Sequence, residues 1–86
     1  MHYVYILKSN KTGRYYIGET DNIGRRLGQH IAGKSSFGKR NKEIELVHRV
    51  ETNTRGEAKR LELFLKKQKS RQFLEKFIGG KINTPL

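Results

Sequence analysis

The chain has 86 residues, with 19 Lys and Arg against 8 Asp and Glu, and it contains no cysteine. Only 34% of the residues are hydrophobic, so the length suits one domain with a modest core. Disulfides and thiolate zinc sites are excluded. The formal net charge of +11 predicts a polyanionic partner. Nucleic acid is the favoured class, because no long apolar stretch or amphipathic anchor points to a membrane.

Three segments have the alternation of β-strands. Residues 2–8 and residues 14–19 flank a turn and predict a hairpin. A third strand is predicted over residues 43–51. One predicted face of this strand carries Ile44, Leu46 and, less certainly, His48.

The register of the hairpin decides whether Tyr5 and Tyr16 lie on one face of the sheet. If Lys8 pairs with Gly13, Tyr5 lies opposite Tyr16 and both side chains point the same way. If Lys8 pairs with Arg14, Tyr16 turns to the other face. The sequence leaves both registers open. Two tyrosine hydroxyls on one face could serve chemistry at a phosphate.

A first helix is predicted from the Thr20-Asp21-Asn22 capping stretch to about Ala32. Its predicted inward stripe consists of Ile23, Leu27 and Ile31. Arg26 and His30 are one turn apart along the border of that stripe, so they could converge on one small ligand. The alternative is a solvated arginine with a surface histidine, which the helix alone favours.

Residues 33–42 read as a basic loop containing glycine and one aromatic residue. Lysines in such a loop suit backbone phosphates. Phe37 either packs inward, which is the commoner outcome, or stacks on an exposed base. The nucleic-acid contacts predicted for the loop are Lys34, Lys39 and Arg40.

A second long helix is predicted over residues 55–69, with an apolar stripe of Ala58, Leu61 and Leu65. Glu62 lies beside that stripe, at the margin of the core. Its carboxylate could hold a divalent cation or pair with a neighbouring base, and the salt bridge is favoured on this evidence alone. Lys66, Lys69 and Arg71 continue the basic surface, and residues 73–78 predict a short final helix. The elements together predict an α+β domain, with a small three-stranded antiparallel sheet flanked by helices in the order β-β-α-β-α-α.

Together these residues resemble the GIY-YIG nuclease superfamily, especially its small stand-alone bacterial members, over residues 3–78. Tyr3-Val4-Tyr5 is similar to the first signature with tyrosine in place of its glycine, and Tyr16-Ile17-Gly18 is the second signature intact. Arg26, His30 and Glu62 match three further family positions. The ordered set is much more specific than either tripeptide.

The resemblance implies an endonuclease that hydrolyses phosphodiester bonds in DNA, in repair, recombination or the processing of branched or single-stranded DNA. It implies one divalent ion, Mg²⁺ or Mn²⁺, on Glu62. Arg26 would clamp the scissile phosphate. Tyr5, assisted by Tyr16 and His30, would activate or position the water. The alternative is a nucleic-acid-binding module that cleaves weakly or not at all.

The nuclease-like domain is expected over residues 1–80, with residues 81–86 as a C-terminal tail. DNA is the expected partner, and RNA is the other polyanion that the charge would attract. No membrane partner is expected, and a partner protein could supply specificity. Because the start of the chain lacks the pattern of a signal peptide, a cytoplasmic location is expected, including association with the nucleoid.

Overall fold

A computed structural model describes residues 1–34, 36–41 and 43–80 of the chain. Those residues form β1 (His2–Ser9), β2 (Tyr15–Thr20), α1 (Ile23–Ile31), α2 (Ser36–Arg40), β3 (Ile44–Thr52), α3 (Arg55–Gln68) and α4 (Arg71–Ile78). The predicted α+β class and the three-stranded antiparallel sheet are confirmed. One short helix, α2, forms where a loop was predicted. The predicted tail, residues 81–86, lies outside the described residues.

The sheet has the strand order β2-β1-β3, and each neighbouring pair is antiparallel. Its central strand, β1, is buried from Val4 to Leu7. Side chains alternate between the two faces of a strand, so Val4 and Ile6 face one side while Tyr5 and Leu7 face the other. The face that carries Val4 and Ile6 packs against α3 and α4 in a hydrophobic core. The buried residues that these two helices contribute are Ala58, Leu61, Leu65 and Phe77.

The hairpin adopts a third register, in which Lys8 pairs with Tyr15 and Tyr5 pairs with Gly18. The loop is therefore longer than either predicted register requires. Ser9 and Arg14 join across it through a backbone hydrogen bond of 2.9 Å. Because the pairing is offset by two residues from the Lys8–Gly13 register, Tyr5 and Tyr16 still share a face.

Ile44 and Leu46 share one face of β3, as predicted, but His48 does not lie on it. The ladder between β1 and β3 shifts between Ile6, which pairs with His48, and Leu7, which pairs with Leu46. The intervening Val47 is the extra residue of a bulge, and such a residue reverses the alternation of the strand. Leu46 therefore shares the face of Leu7, whereas the His48 ring contacts that of Phe77 at 5.2 Å between centroids.

Helix α1 is rotated relative to the predicted stripe. Ile31, predicted to face inward, is 63% exposed, and His30, predicted at the border, is fully buried at 0%. The buried edge of the helix therefore passes through His30, beneath the aromatic side chains of the sheet. Asn22 caps the helix by accepting a hydrogen bond from the Arg25 N–H.

Capping residues also define where α3 and α4 begin. Thr54 accepts a hydrogen bond from the Glu57 N–H at the start of α3, and Ser70 accepts one from the Phe73 N–H at the start of α4. Lys69, between the two helices, adopts a left-handed conformation with φ of 48°. Within the described ranges, we find no helix long and apolar enough to cross a membrane.

Candidate active site

The two signature tyrosines meet over Gly18. The rings of Tyr5 and Tyr16 have centroids 6.1 Å apart, and Gly18 is the cross-strand partner of Tyr5. A Cβ at Gly18 would lie 2.4 Å from the Tyr5 hydroxyl and 3.0 Å from a carbon of the Tyr16 ring. The glycine is therefore required by the close approach of the two tyrosines rather than by a turn.

Tyr5 links the sheet to helix α1 through its hydroxyl group. Arg26 Nε donates to the hydroxyl oxygen at 3.3 Å, and the hydroxyl lies 3.2 Å from His30 Nε2. Because Arg26 and His30 are one turn apart, the helix presents both to the same oxygen. Tyr5 is only 2% exposed. Of the two alternatives left open for the helix, convergence is therefore the one observed, and the solvated arginine with a surface histidine, which the helix alone favoured, is wrong.

The surroundings of Tyr5, Arg26 and His30 shift the pKa of each side chain. Burial raises the pKa of Tyr5 to about 12, and the hydrogen bond from Arg26 opposes this rise only in part. Burial and the nearby Arg26 charge lower the pKa of His30. The pKa of Arg26 is raised, chiefly by its hydrogen bond with Tyr5. At neutral pH the cluster therefore holds a neutral phenol, a neutral imidazole and a guanidinium cation.

Gln29 and Phe37 also contact this cluster, and the sequence did not predict either residue in the site. Arg26 Nη1 donates to Gln29 Oε1 at 2.9 Å, which orients the guanidinium. The Phe37 ring packs 5.2 Å from the Tyr16 ring and 6.3 Å from the His30 ring, centroid to centroid. The available sequence signal for Gln29 was its position three residues after Arg26 on one helix face.

Helix α2 reaches the site because it packs closely on α1. A Cβ at Gly38 would lie 2.0 Å from the backbone oxygen of His30, so only glycine permits this contact. The neighbouring Phe37 is thereby placed against Tyr16. Of the two outcomes predicted for Phe37, inward packing is the one observed.

Glu62 lies on α3, at the edge of the core. Its side chain is 7% exposed, and Lys59 Nζ and Lys66 Nζ lie 3.3 Å and 3.6 Å from its two carboxylate oxygens. Both lysines are about half exposed. The position at the margin of the core is as predicted. Of the two predicted roles of the carboxylate, the salt bridge is observed, and the metal role stays a prediction.

The carboxylate of Glu62 fits a hard divalent cation. Its buried Oε1 accepts no hydrogen bond from the described residues, since Lys59 lies at ion-pair distance without hydrogen-bond geometry. No group of three His, Cys, Asp or Glu side chains suited to a metal occurs in the described part of the chain. Glu62 is therefore the residue that would hold such a cation.

A cleft of about 690 Å³ opens between the end of α2, strand β2 and the junction of α3 with α4. We call it the β2 cleft. Four of the six predicted nucleic-acid contacts line it: Arg40, Lys66, Lys69 and Arg71. The other two, Lys34 and Lys39, are exposed elsewhere on the surface. Tyr16 and Phe37 also line the cleft, so it adjoins the Tyr5 cluster.

Comparison with known proteins gives consistent findings. A model of the GIY-YIG catalytic domain matches residues 1–76. UPF0213 proteins of Yersinia pestis (strain Pestoides F) and Yersinia pseudotuberculosis (serotype O:1b) are each 39% identical over 77 residues, which span 88% of this chain and 79% of each relative. A solution NMR structure of a UPF0213 protein from Bacillus halodurans has a TM-score of 0.57 at 32% identity, covering 93% of this chain and 84% of that one. The names of these relatives state no activity.

Proposed function

The chain belongs to the GIY-YIG family, whose domain implies a nuclease fold and a nucleic-acid substrate, and from this premise we propose that it is a divalent-metal-dependent endonuclease acting on DNA. The reaction would be hydrolysis of a phosphodiester bond. Such a reaction needs an activated water, positive charge at the phosphoryl oxygens and stabilisation of the departing oxygen. The proposal assigns these tasks to five side chains: Tyr5, Tyr16, Arg26, His30 and Glu62.

The observation that carries the proposal is the Tyr5 hydroxyl bridging Arg26 and His30. Arg26 Nε and His30 Nε2 lie 3.3 Å and 3.2 Å from the same oxygen. A binding surface needs only cations, whereas this arrangement joins a fixed cation, a hydroxyl and a neutral base. Tyr16 adds a second hydroxyl on the same face. These groups support hydrolysis better than binding alone.

Water activation in this site would proceed by relay rather than by a phenolate. Because the pKa of Tyr5 is raised to about 12, ionised Tyr5 is scarce at neutral pH. The Tyr5 oxygen can instead accept a proton from water while its own proton passes to His30 Nε2. His30 is suited to receive that proton, because its lowered pKa keeps it neutral beforehand. The hydroxide formed then attacks phosphorus while the bond from phosphorus to the departing oxygen breaks. That oxygen takes up a proton from solvent water, and the proton on His30 returns to solvent through Tyr5.

Arg26 would hold the phosphate through its remaining N–H groups, since Nε faces Tyr5 and Nη1 faces Gln29. A divalent cation at Glu62, when bound, supplies positive charge beside the phosphoryl and leaving oxygens. The surface charge adds affinity that falls steeply with salt, because phosphate binding releases counterions. RNA offers the same backbone charge, so the cleavage test includes it.

The experiment compares wild type, Glu62→Gln and Glu57→Gln on supercoiled, branched and single-stranded DNA and on RNA, with Mg²⁺, Mn²⁺ or a chelator. Glu57→Gln is the matched control. It makes the same change on the same helix, and glutamine preserves the capping interaction with Thr54. We expect Glu62→Gln to lose at least about 100-fold in cleavage rate, by analogy with removal of one charge-stabilising group, while Glu57→Gln stays near wild type.

Three results would count against the proposal. Equal cleavage by wild type and Glu62→Gln would show that the activity does not depend on the assigned ligand. Cleavage that persists in chelator would reject metal dependence. Salt-sensitive binding with no cleavage of any substrate would identify the chain as a nucleic-acid-binding module with the nuclease fold.

A further inference from the structure

We propose that the β2 cleft binds one unpaired nucleobase of the substrate strand, beside the nucleotide whose phosphate is cleaved. The inference rests on the proposed function and names the form of substrate that the site accepts. A base stacked within a duplex cannot enter a side pocket unless it leaves the stack. The cleft would therefore favour single-stranded, bulged or frayed nucleic acid.

The size and walls of the cleft suit a base. Its volume of about 690 Å³ lies within the range of roughly 300–1,000 Å³ found for small-molecule pockets. Among the side chains that line it, four are carbon-rich and partly exposed: Tyr15, Tyr16, Phe37 and Leu74. Sugar and phosphate need no such surface, whereas a base gains from apolar and aromatic contact.

All the charged residues that line the cleft are cations. Five cations line the cleft, Arg14, Arg40, Lys66, Lys69 and Arg71, and no Asp or Glu is among its lining residues. The Arg71 guanidinium carbon lies 5.5 Å from the centroid of the Tyr15 ring. An apolar lining with a cationic rim suits a base flanked by two phosphates, because the base can contact the apolar side chains while the phosphates lie beside the cations.

The cleft is continuous with the candidate active site at two points. Tyr16 lines the cleft and contacts the ring of His30 at 4.9 Å between centroids. Lys66 lines it as well and pairs with Glu62 at 3.6 Å. A strand whose phosphate is held by Arg26, as the proposed function assigns, would thus bring a neighbouring nucleotide to the mouth of the cleft.

Hydrogen bonds within the protein hold one wall of the cleft in place without a ligand. Thr12 Oγ1 donates to Asn41 Oδ1 at 2.8 Å, and Asn41 Nδ2 donates to the Phe37 backbone oxygen at 3.0 Å. These bonds join the hairpin loop to the end of α2. A preformed wall lowers the ordering cost of binding, and the side chains left to contact a ligand are the cations and the rings.

The test is an NMR titration of the ¹⁵N-labelled wild-type chain in chelator, so that no cleavage is needed. One ligand is a single-stranded thymidine tetranucleotide. The second has the same phosphates but abasic sugars, and the third is a short duplex. We expect the base-bearing strand to bind at least about tenfold more tightly than the abasic strand, since stacking on an aromatic ring contributes on that scale. Amide shifts should concentrate in residues 13–17 and 69–74.

Matched variants locate the effect. Tyr15→Leu removes an aromatic ring that lines the cleft and should reduce the base-dependent gain several-fold. Arg71→Ala and Arg14→Ala remove cations that line the cleft and should lower affinity for both strands several-fold, because both strands carry the same phosphates. Lys76→Ala on the same helix as Arg71, and Lys11→Ala in the same turn as Arg14, remove exposed charges that do not line it. These two controls should lower affinity for both strands by the same small factor, because they change only the overall charge.

Equal affinity for base-bearing and abasic strands would overturn the inference, as would shifts confined to residues outside the cleft or the absence of binding. The outcome is separable from that of the proposed function. If the titration shows base-dependent binding but no substrate is cleaved, the nuclease proposal alone fails. If DNA is cleaved while the abasic strand binds equally well, the base site alone fails.

Discussion

Replacing Gly18 by alanine should damage the fold and the candidate site together. The new Cβ would meet the Tyr5 hydroxyl at 2.4 Å and the adjacent ring carbon at 2.5 Å, about 1 Å closer than an ordinary van der Waals contact. Tyr5 is 2% exposed and has no open space to move into. The ring must shift, and its hydroxyl must move away from Arg26 and His30.

The expected loss of unfolding free energy is about 2–4 kcal/mol. Overpacking a dense interior costs about 1–3 kcal/mol, and the weakening of the two hydrogen bonds at the Tyr5 hydroxyl together adds about 1 kcal/mol. In a domain of this size such a loss lowers the melting temperature by roughly 10–30 °C. Urea unfolding followed by circular dichroism measures it directly.

Gly28→Ala is the matched control. Gly28 lies on α1, and among the described residues no atom outside its own helix backbone and chain neighbours lies within 4 Å of the position that its Cβ would take. Alanine there should stabilise the helix by about 0.5–1 kcal/mol, because glycine is the poorer helix former. If Gly18→Ala stayed within about 0.5 kcal/mol of wild type, the account of the signature glycine as space for Tyr5 would be refuted.

Three further predictions concern protonation and capping. Ultraviolet titration should show one tyrosine ionising near pH 12, absent in Tyr5→Phe; ionisation of all tyrosines together near pH 10 would contradict it. Because the pKa of His30 is lowered in the fold, the unfolded chain takes up the proton first. Stability should therefore fall as pH drops below about 6.5, and urea midpoints of His30→Gln should lack this part of the slope; an unchanged slope would reject the assignment. Thr54→Ala removes the acceptor for the Glu57 N–H and should lower the unfolding free energy by about 1 kcal/mol. Thr54→Ser keeps a hydroxyl acceptor and should lose much less; equal losses of unfolding free energy in the two variants would reject the capping account.

The sequence allowed correct prediction of the elements whose signals are local. The helical periodicity of residues 55–69 predicted α3, and the alternation of residues 2–8 predicted β1. The common face of Tyr5 and Tyr16 was one of two alternatives. It was realised through a register that neither alternative contained, because loop hydrogen bonds at Ser9 set the length of the turn.

The errors arose where tertiary contacts outweigh hydrophobicity. Ile31 was expected inward because it is apolar, yet His30 takes the buried position. Its imidazole packs on Tyr16 and Phe37 and meets the Tyr5 hydroxyl, contacts that no helical pattern encodes. The bulge at Val47 likewise depends on pairing with β1, so the face of His48 was beyond prediction from β3 alone.

The position of β2 at one edge of the sheet has a consequence for regulation. An edge strand presents unpaired N–H and C=O groups to which another chain can add a strand. On this protein, a strand added to β2 would fill the β2 cleft and exclude the proposed nucleobase, whereas one added to β3, at the opposite edge, would leave the cleft open. A peptide inhibitor could therefore act chiefly through main-chain pairing with β2.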